Sequence, residues 1–169
     1  MARMFEPRNV KKANLLYRAS ENNFSIGEFH RKCDGEADTL VLVRTEFNKT
    51  IGGYTPIPWK SSANTLHADI RGDSFLFSLS LKQKMYLVDQ NSAVFNSMNF
   101  GPTFGAGADL AICHRANTEG SSYSEFPYSY GNNRYKEWSQ HSTTLFTGQK
   151  RGSHFLVKEW EVWKLSFTE

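Results

Sequence analysis

The sequence predicts a β-rich fold in which two antiparallel sheets pack face to face as a sandwich. Three observations carry that expectation. Aromatic residues make up 14% of the 169 residues while charged ones are held to 22%, and Gly and Ser interrupt the apolar stretches about every ten residues, as short strands joined by turns require. The run Ser74-Phe75-Leu76-Phe77-Ser78-Leu79-Ser80-Leu81 alternates with a period of two. Finally, Ile51-Gly52-Gly53-Tyr54-Thr55 sets a glycine pair inside an extended apolar stretch. Such a pair weakens a strand unless another backbone or ring packs close, so one sheet is expected to press against the other there, with Tyr54 and Trp59 as the large fillers.

Taken in order, residues 1–12 carry Arg3, Arg8, Lys11 and Lys12 against the single acid Glu6. With only Met4, Phe5 and Val10 as sizeable apolar groups, they read as a basic N-terminal arm that orders on a partner. Residues 13–169 are sized for a single domain burying about 70% of its unfolded surface. Leu15, Leu16 and Tyr17 suggest a short strand over residues 13–19, broken by Ser20-Glu21-Asn22-Asn23. Ser25-Ile26-Gly27-Glu28 is a capping box preceded by Phe24 as a staple, and predicts a helix over residues 26–33. Ile26, Phe29 and Cys33 share its buried face, Arg31 and Lys32 suit its last turn, and Asp34-Gly35 ends it.

The β-branched run Thr39-Leu40-Val41-Leu42-Val43 suits a strand covered on both faces, and Glu46-Phe47-Asn48-Lys49 turns it back into the glycine-pair strand as a central hairpin. Pro56 and Pro58 then end that strand, because proline removes a ladder donor. Residues 60–73 read as a surface excursion. In the alternating run that follows, Phe75, Phe77, Leu79 and Leu81 face the core, together with Tyr54 and Trp163. Lys82-Gln83 reverses the chain into Met85-Tyr86-Leu87-Val88. Phe100-Gly101-Pro102-Thr103-Phe104-Gly105-Ala106-Gly107 bends into a strand over residues 109–113, residues 114–141 form a long loop with at most one short strand, and residues 155–167 close the domain as a strand with one face on the core.

Charge and targeting signals narrow the function classes. A net charge of +3 and a pI of about 8.8 fall short of the concentrated basic character of a nucleic-acid binder, so no nucleic-acid partner is expected. No apolar run approaches the roughly 20 residues of a membrane span, and the charged N-terminus lacks a hydrophobic stretch behind it, so a cytoplasmic, non-secreted protein is expected. In that reducing setting Cys33 and Cys113 are expected to be free thiols, and Asn23-Phe24-Ser25 and Asn48-Lys49-Thr50 chance matches to the glycosylation sequon.

No catalytic, cofactor-binding or metal-binding residue set can be assembled from the sequence. Gly105-Ala106-Gly107 follows a bend and has no Lys-Ser/Thr behind it, so it reads as a backbone device and not a phosphate loop. Glu159 and Glu161 share a strand face and could pair for acid–base chemistry, but charged strand edges are far commoner. The five histidines show no ligand spacing; His30 and Cys33 on one helical face make half a site. Cys33 lies at the end of its helix that does not acidify thiols, and Cys113 and His114, as strand neighbours, point to opposite faces.

One resemblance covers residues 13–165. Leu15-Leu16-Tyr17-Arg18-Ala19-Ser20, Phe24-Ser25 with Phe29, Cys33-Asp34-Gly35, Gly52-Gly53-Tyr54 with Trp59, Phe75-Leu76-Phe77-Ser78-Leu79, Gly101-Pro102 with Phe104-Gly105 and Asp109-Leu110, and Glu161-Val162-Trp163 follow one another in the order and spacing that resemble the TLDc domain of eukaryotic oxidation-resistance proteins. The resemblance implies an α+β fold, two antiparallel sheets packed as a sandwich with a few short flanking helices. It also implies no established active site and no cofactor, a link to oxidative-stress protection, and binding to the catalytic head of the vacuolar-type proton ATPase. The expectation is therefore a non-catalytic protein-interaction module, with Arg3, Arg8, Lys11 and Lys12 as candidate partner-binding residues. A structural subunit of another multi-subunit or cytoskeletal assembly, and a thiol-based antioxidant acting through Cys33 or Cys113, stand as alternatives.

Overall fold

The computed structural model describes residue 5 and residues 8–61 and 64–168. Along the chain, β1 (Val10–Arg18) and α1 (Ile26–Cys33) are followed by β2 (Thr39–Thr45), β3 (Thr50–Thr55), β4 (Thr65–His67), β5 (Phe75–Ser78) and β6 (Gln83–Leu87). Then come β7 (Val94–Asn96), β8 (Thr103–Phe104), β9 (Leu110–Ala111), β10 (Ser122–Tyr123), β11 (Tyr130–Gly131), α2 (Gln140–Thr147), β12 (His154–Phe155) and β13 (Val157–Phe167). Seven strands form one sheet in the order β1-β13-β2-β3-β5-β6-β11, and six form the other in the order β12-β10-β9-β8-β7-β4. All the ladders are antiparallel, and the α+β sandwich with few helices is the fold.

The hairpin of β2 and β3 sits at the centre of the large sheet, with Val41 opposite Gly53 and Leu42 opposite Gly52. Gly53 faces the second sheet: a Cβ there would come within 2.6 Å of Phe104 on β8 and 2.8 Å of Leu76 on β5. Gly52 faces the other way, where a Cβ would strike the Val41 carbonyl and the Phe77 ring. The glycine pair is thus required once on each face. Between the sheets lie Trp59, Phe104, Trp160, Tyr17, Phe29 and Phe146, all essentially buried. Trp59 meets Phe104 edge-on at 5.6 Å and Tyr17 lies 4.3 Å from Trp160 between ring centroids; Trp59 Nε1 donates to Thr39 Oγ1 at 2.8 Å, whereas the buried Trp160 Nε1 has no hydrogen-bond partner among the described residues.

Phe75, Phe77 and Tyr54 are buried core residues, as expected, and Trp163 is partly buried against them, but none of the four lies between the sheets. They form a second apolar cluster with Phe5, Leu40 and Leu165 on the outer face of the large sheet, and Leu76 points inward in their place. Alternation shows which residues share a face but not which face is covered, and every residue of β5 is buried. In β13, positions 160 and 163 are an odd number apart and so point oppositely; Trp160 is the fully buried indole.

α1 begins as expected, with Ser25 Oγ accepting the Glu28 amide at 3.3 Å; such a cap contributes about 1 kcal/mol. The return half of the capping box is absent, because the Glu28 carboxylate turns to Arg31 at 2.7 Å. Other boundaries differ for local reasons. β1 begins at Val10, so Lys11 and Lys12 belong to a paired strand; the rest of the expected arm apart from Phe5 and residues 8–9, including Arg3, lies outside the described residues. The surface excursion holds β4, and the reversal after β5 spans residues 79–82 with Lys82 at φ 54°. Leu79 and Leu81 are only half-buried. Residues 155–167 are not one strand: Phe155 pairs in the small sheet and Val157 in the large one, so the chain changes sheet at Leu156. The expected long loop contains β10 and β11 and leads into α2, capped by Ser139 and ended by Gly148 at φ 90°.

Candidate protein-binding surface

Among the described residues, no second sheet lies over the outer face of the large sheet, yet that face is apolar. Phe5 covers part of it, 5.2 Å from Tyr54 and 5.3 Å from Phe75 between ring centroids. Arg8 holds this segment down: its guanidinium donates to Tyr54 Oη at 3.2 Å and lies 4.4 Å from the Phe167 ring centroid. Tyr54 in turn donates to Asp38 at 2.6 Å; burial, then Asp38, raises its phenol well above the ordinary range, so it stays a neutral donor and acceptor. Lys84 lies 4.1 Å from the Phe75 ring centroid at the far side of the cluster, and burial lowers its pKa.

Among the described residues, the cover stops between Phe5 and β1. An apolar groove of about 420 Å³ opens there, lined by Phe5, Val10, Ala13, Leu42, Trp163 and Leu165. Lys11 and Lys12 are exposed on β1 beside it. Of the basic residues expected to meet a partner, the structure brings Arg8 onto this apolar face and leaves Lys11 and Lys12 exposed on the adjoining edge strand, with Lys12, paired with Ser166, on the opposite face from Ala13.

The residues of the sequence motif are architectural. Trp163 Nε1 donates to Glu161 at 2.8 Å, and Glu161 also accepts from Arg18 at 2.8 Å; Glu159 accepts from the Ser20 and Trp160 amides. The two carboxylates are thus occupied by the fold. A Cβ at Gly101 would meet Ile26 and the Ile112 carbonyl, and Pro102 beside it is buried, its carbonyl accepting the Ile112 amide at 3.2 Å. Gly105, at φ 85°, leaves room for Asp109, which a Cβ would strike.

Asp109 has a role the sequence reading did not find. Its buried carboxylate accepts the Tyr128, Ser129 and Tyr130 amides at 2.6, 2.8 and 3.2 Å and so holds the long loop onto the β8–β9 hairpin. Burial pushes its pKa up to about 7, against the opposing pull of those amides. His30 was likewise missed as a clamp: Nδ1 lies 2.8 Å from Asp34 and Nε2 2.9 Å from the Phe100 carbonyl, tying α1 to the small sheet's loops. The i,i+4 spacing of His30 and Asp34 was the available signal.

Both cysteines are free and buried. Burial pushes the Cys33 thiol up to about 12 and the Cys113 thiol up to about 11. The strand expected over residues 109–113 is only Leu110–Ala111, so Cys113 and His114 are not strand neighbours and the opposite-face argument does not apply to them; Cys113 Sγ donates to the Ser121 carbonyl at 3.1 Å and His114 is exposed. Among the described residues, no group of three His, Cys, Asp or Glu side chains is placed to hold a metal ion, and no helix is long and apolar enough to cross a membrane.

Compared with known proteins, the chain matches the family model described as TLDc domain over residues 1–166. No curated protein matches it.

Proposed function

The chain belongs to the TLDc domain family, and from that premise we propose that it is a non-catalytic, intracellular protein-binding module whose partner is the catalytic head of the vacuolar-type proton ATPase, with oxidative-stress protection as the outcome. The observation that carries the binding reading is the partly covered outer face: an open apolar groove, with Arg8 on that face and the exposed Lys11 and Lys12 on the adjoining edge strand. A surface of this kind, an apolar centre with a charged rim, is what a protein interface uses.

The thiol antioxidant reading is disfavoured by the same structure. Reactive cysteines need thiolate at neutral pH and access to peroxide; Cys33 and Cys113 are buried and held protonated. Peroxide consumption by wild-type protein should equal that of Cys33→Ser and Cys113→Ser; a catalytic rate lost in either variant would restore that reading.

The test of the binding reading is affinity purification with the tagged chain. Recovery of ATPase head subunits is expected, weakened as salt rises. Recovery of a different multi-subunit or cytoskeletal complex, with no head subunits, would replace the ATPase reading with the structural-subunit one.

A further inference from the structure

We propose that the free edge of β1 is a strand-addition site for an extended peptide whose side chains alternate between apolar and acidic. The proposal rests on the protein-binding reading and gives the partner a shape and a charge. Strand edges carry unpaired backbone donors and acceptors, and proteins blunt them by keeping edge strands short. Three of the four sheet edges here follow that rule: β11 and β12 have two residues each and β4 has three. β1 has nine, its first five residues are exposed, and among the described residues only β13 pairs with it.

The ladder shows which groups are on offer. The Thr168 amide donates to the Asn9 carbonyl, while the Leu165 amide donates away from β1, to the Asp38 carbonyl. In an antiparallel ladder bonded and non-bonded pairs alternate, so through the pairings Ala13↔Leu165 and Leu15↔Trp163 the amides of Ala13 and Leu15 point outward from the sheet. An incoming strand bonds there.

Side-chain chemistry selects the occupant. A residue opposite Ala13 would lie on the same face as Ala13, beside the apolar groove, and the small Ala13 side chain leaves it room. Its neighbours along the peptide would lie on the opposite face, near Lys12, where carboxylates are favoured. A second copy of the chain is the poorer occupant. β1 contains no acidic residue, so self-pairing would bring Lys11 and Lys12 of both copies to one seam without a facing carboxylate.

The test uses the full chain and two fluorescein-labelled nonapeptides, one alternating Val and Glu, the other Val and Lys, read by fluorescence anisotropy. The Val-Glu peptide should bind, slow hydrogen exchange at the Ala13 and Leu15 amides, and bind about tenfold or more weakly to the K11E/K12E variant, which should instead take the Val-Lys peptide. That gain shows the variant is folded. Equal binding of Val-Glu by both proteins, no binding at all, or protection that misses Ala13 and Leu15 would overturn the proposal. If ATPase head subunits are recovered equally with wild type and K11E/K12E, the strand-addition site falls while the binding reading stands. If the peptide results hold and no head is recovered, the site stands and the ATPase reading falls.

Discussion

The two faces of the large sheet are both apolar, but they are covered differently. The inner face is closed by the second sheet, and the rings of Trp59, Phe104, Trp160 and Phe29 interlock across it. Among the described residues, the outer face is covered by the Phe5 ring, the Arg8 guanidinium and the Lys84 ammonium over the Tyr54, Phe75 and Phe167 rings, and the groove beside β1 stays open. Apolar composition therefore does not separate structural surface from binding surface here. The completeness of the cover does, and it makes the faces unequal in what a substitution should cost.

The sharpest way to break that comparison is a pair of tryptophans on one strand. Trp160→Ala on the inner face should cost about 3–5 kcal/mol, as large cavities in closed cores do. Trp163→Ala, half-buried on the outer face, should cost about 1–2 kcal/mol, in proportion to the area it hides. Urea unfolding monitored by circular dichroism gives both values. Equal losses would mean that the outer face is as closed as the inner one.

Next in size is Gly53→Val, where the new side chain meets Phe104 and Leu76 across the sheet contact. Overpacking should cost about 1–3 kcal/mol or more, and at about 2–4 °C per kcal/mol the midpoint of thermal unfolding falls accordingly. An unchanged midpoint would remove Gly53 from the contact between sheets.

This glycine pair marks how far the sequence could be read. A glycine pair in an apolar strand announces a close approach, and Gly53 has one; α1, the central hairpin and the ends of β3 were likewise local, set by Ser25, by β-branched residues and by Pro56. The inward or outward sense of Phe75, Phe77, Tyr54 and Trp163 was not local. It depends on which face the second sheet covers, and alternation is silent about that. α2 was missed because Gln140, His141, Ser142 and Thr143 give no apolar period, although Ser139 and Gly148 sit at its two ends as cap residues do. The groove is further from reach, since Phe5, Val10, Ala13 and Trp163 come from both ends of the chain.

The buried carboxylate of Asp109 carries a pH signature in the acid-to-neutral range. Its folded pKa is raised from 3.8 to about 7 by burial, so between about 4 and about 7 the folded state holds a proton that the unfolded state has released. Stability from this group is then fully present below about pH 4, declines as pH rises through that window, and is flat above it. Urea midpoints taken from pH 4 to 8 should show the decline in wild type and lose that component in Asp109→Asn, which should itself cost about 1–3 kcal/mol by leaving loop amides poorly matched. A wild-type profile that rises across the window would mean that the three amides outweigh burial and keep the group ionised.

The smallest effect belongs to Arg8, the fastener of the outer face. Arg8→Ala removes the bond to Tyr54 Oη and the guanidinium over Phe167, a loss of about 0.5–1 kcal/mol for a half-exposed cation over a ring. Tyr54 keeps its bond to Asp38, so the sheet itself should not loosen. What should change is the cover: with the Arg8 side chain gone, Phe5 keeps its ring contacts and the bond from the residue-8 amide to its carbonyl but loses the guanidinium that fastens the segment to Tyr54, and the apolar groove widens toward Tyr54 and Phe75. Binding of an apolar dye such as anilinonaphthalene sulfonate should then rise while the urea midpoint hardly moves. Arg8→Lys should recover only part of the effect, because an ammonium cannot both stack flat on Phe167 and reach Tyr54. If dye binding is unchanged in Arg8→Ala, Phe5 holds the cover without Arg8 and the open part of the face is limited to the groove beside β1.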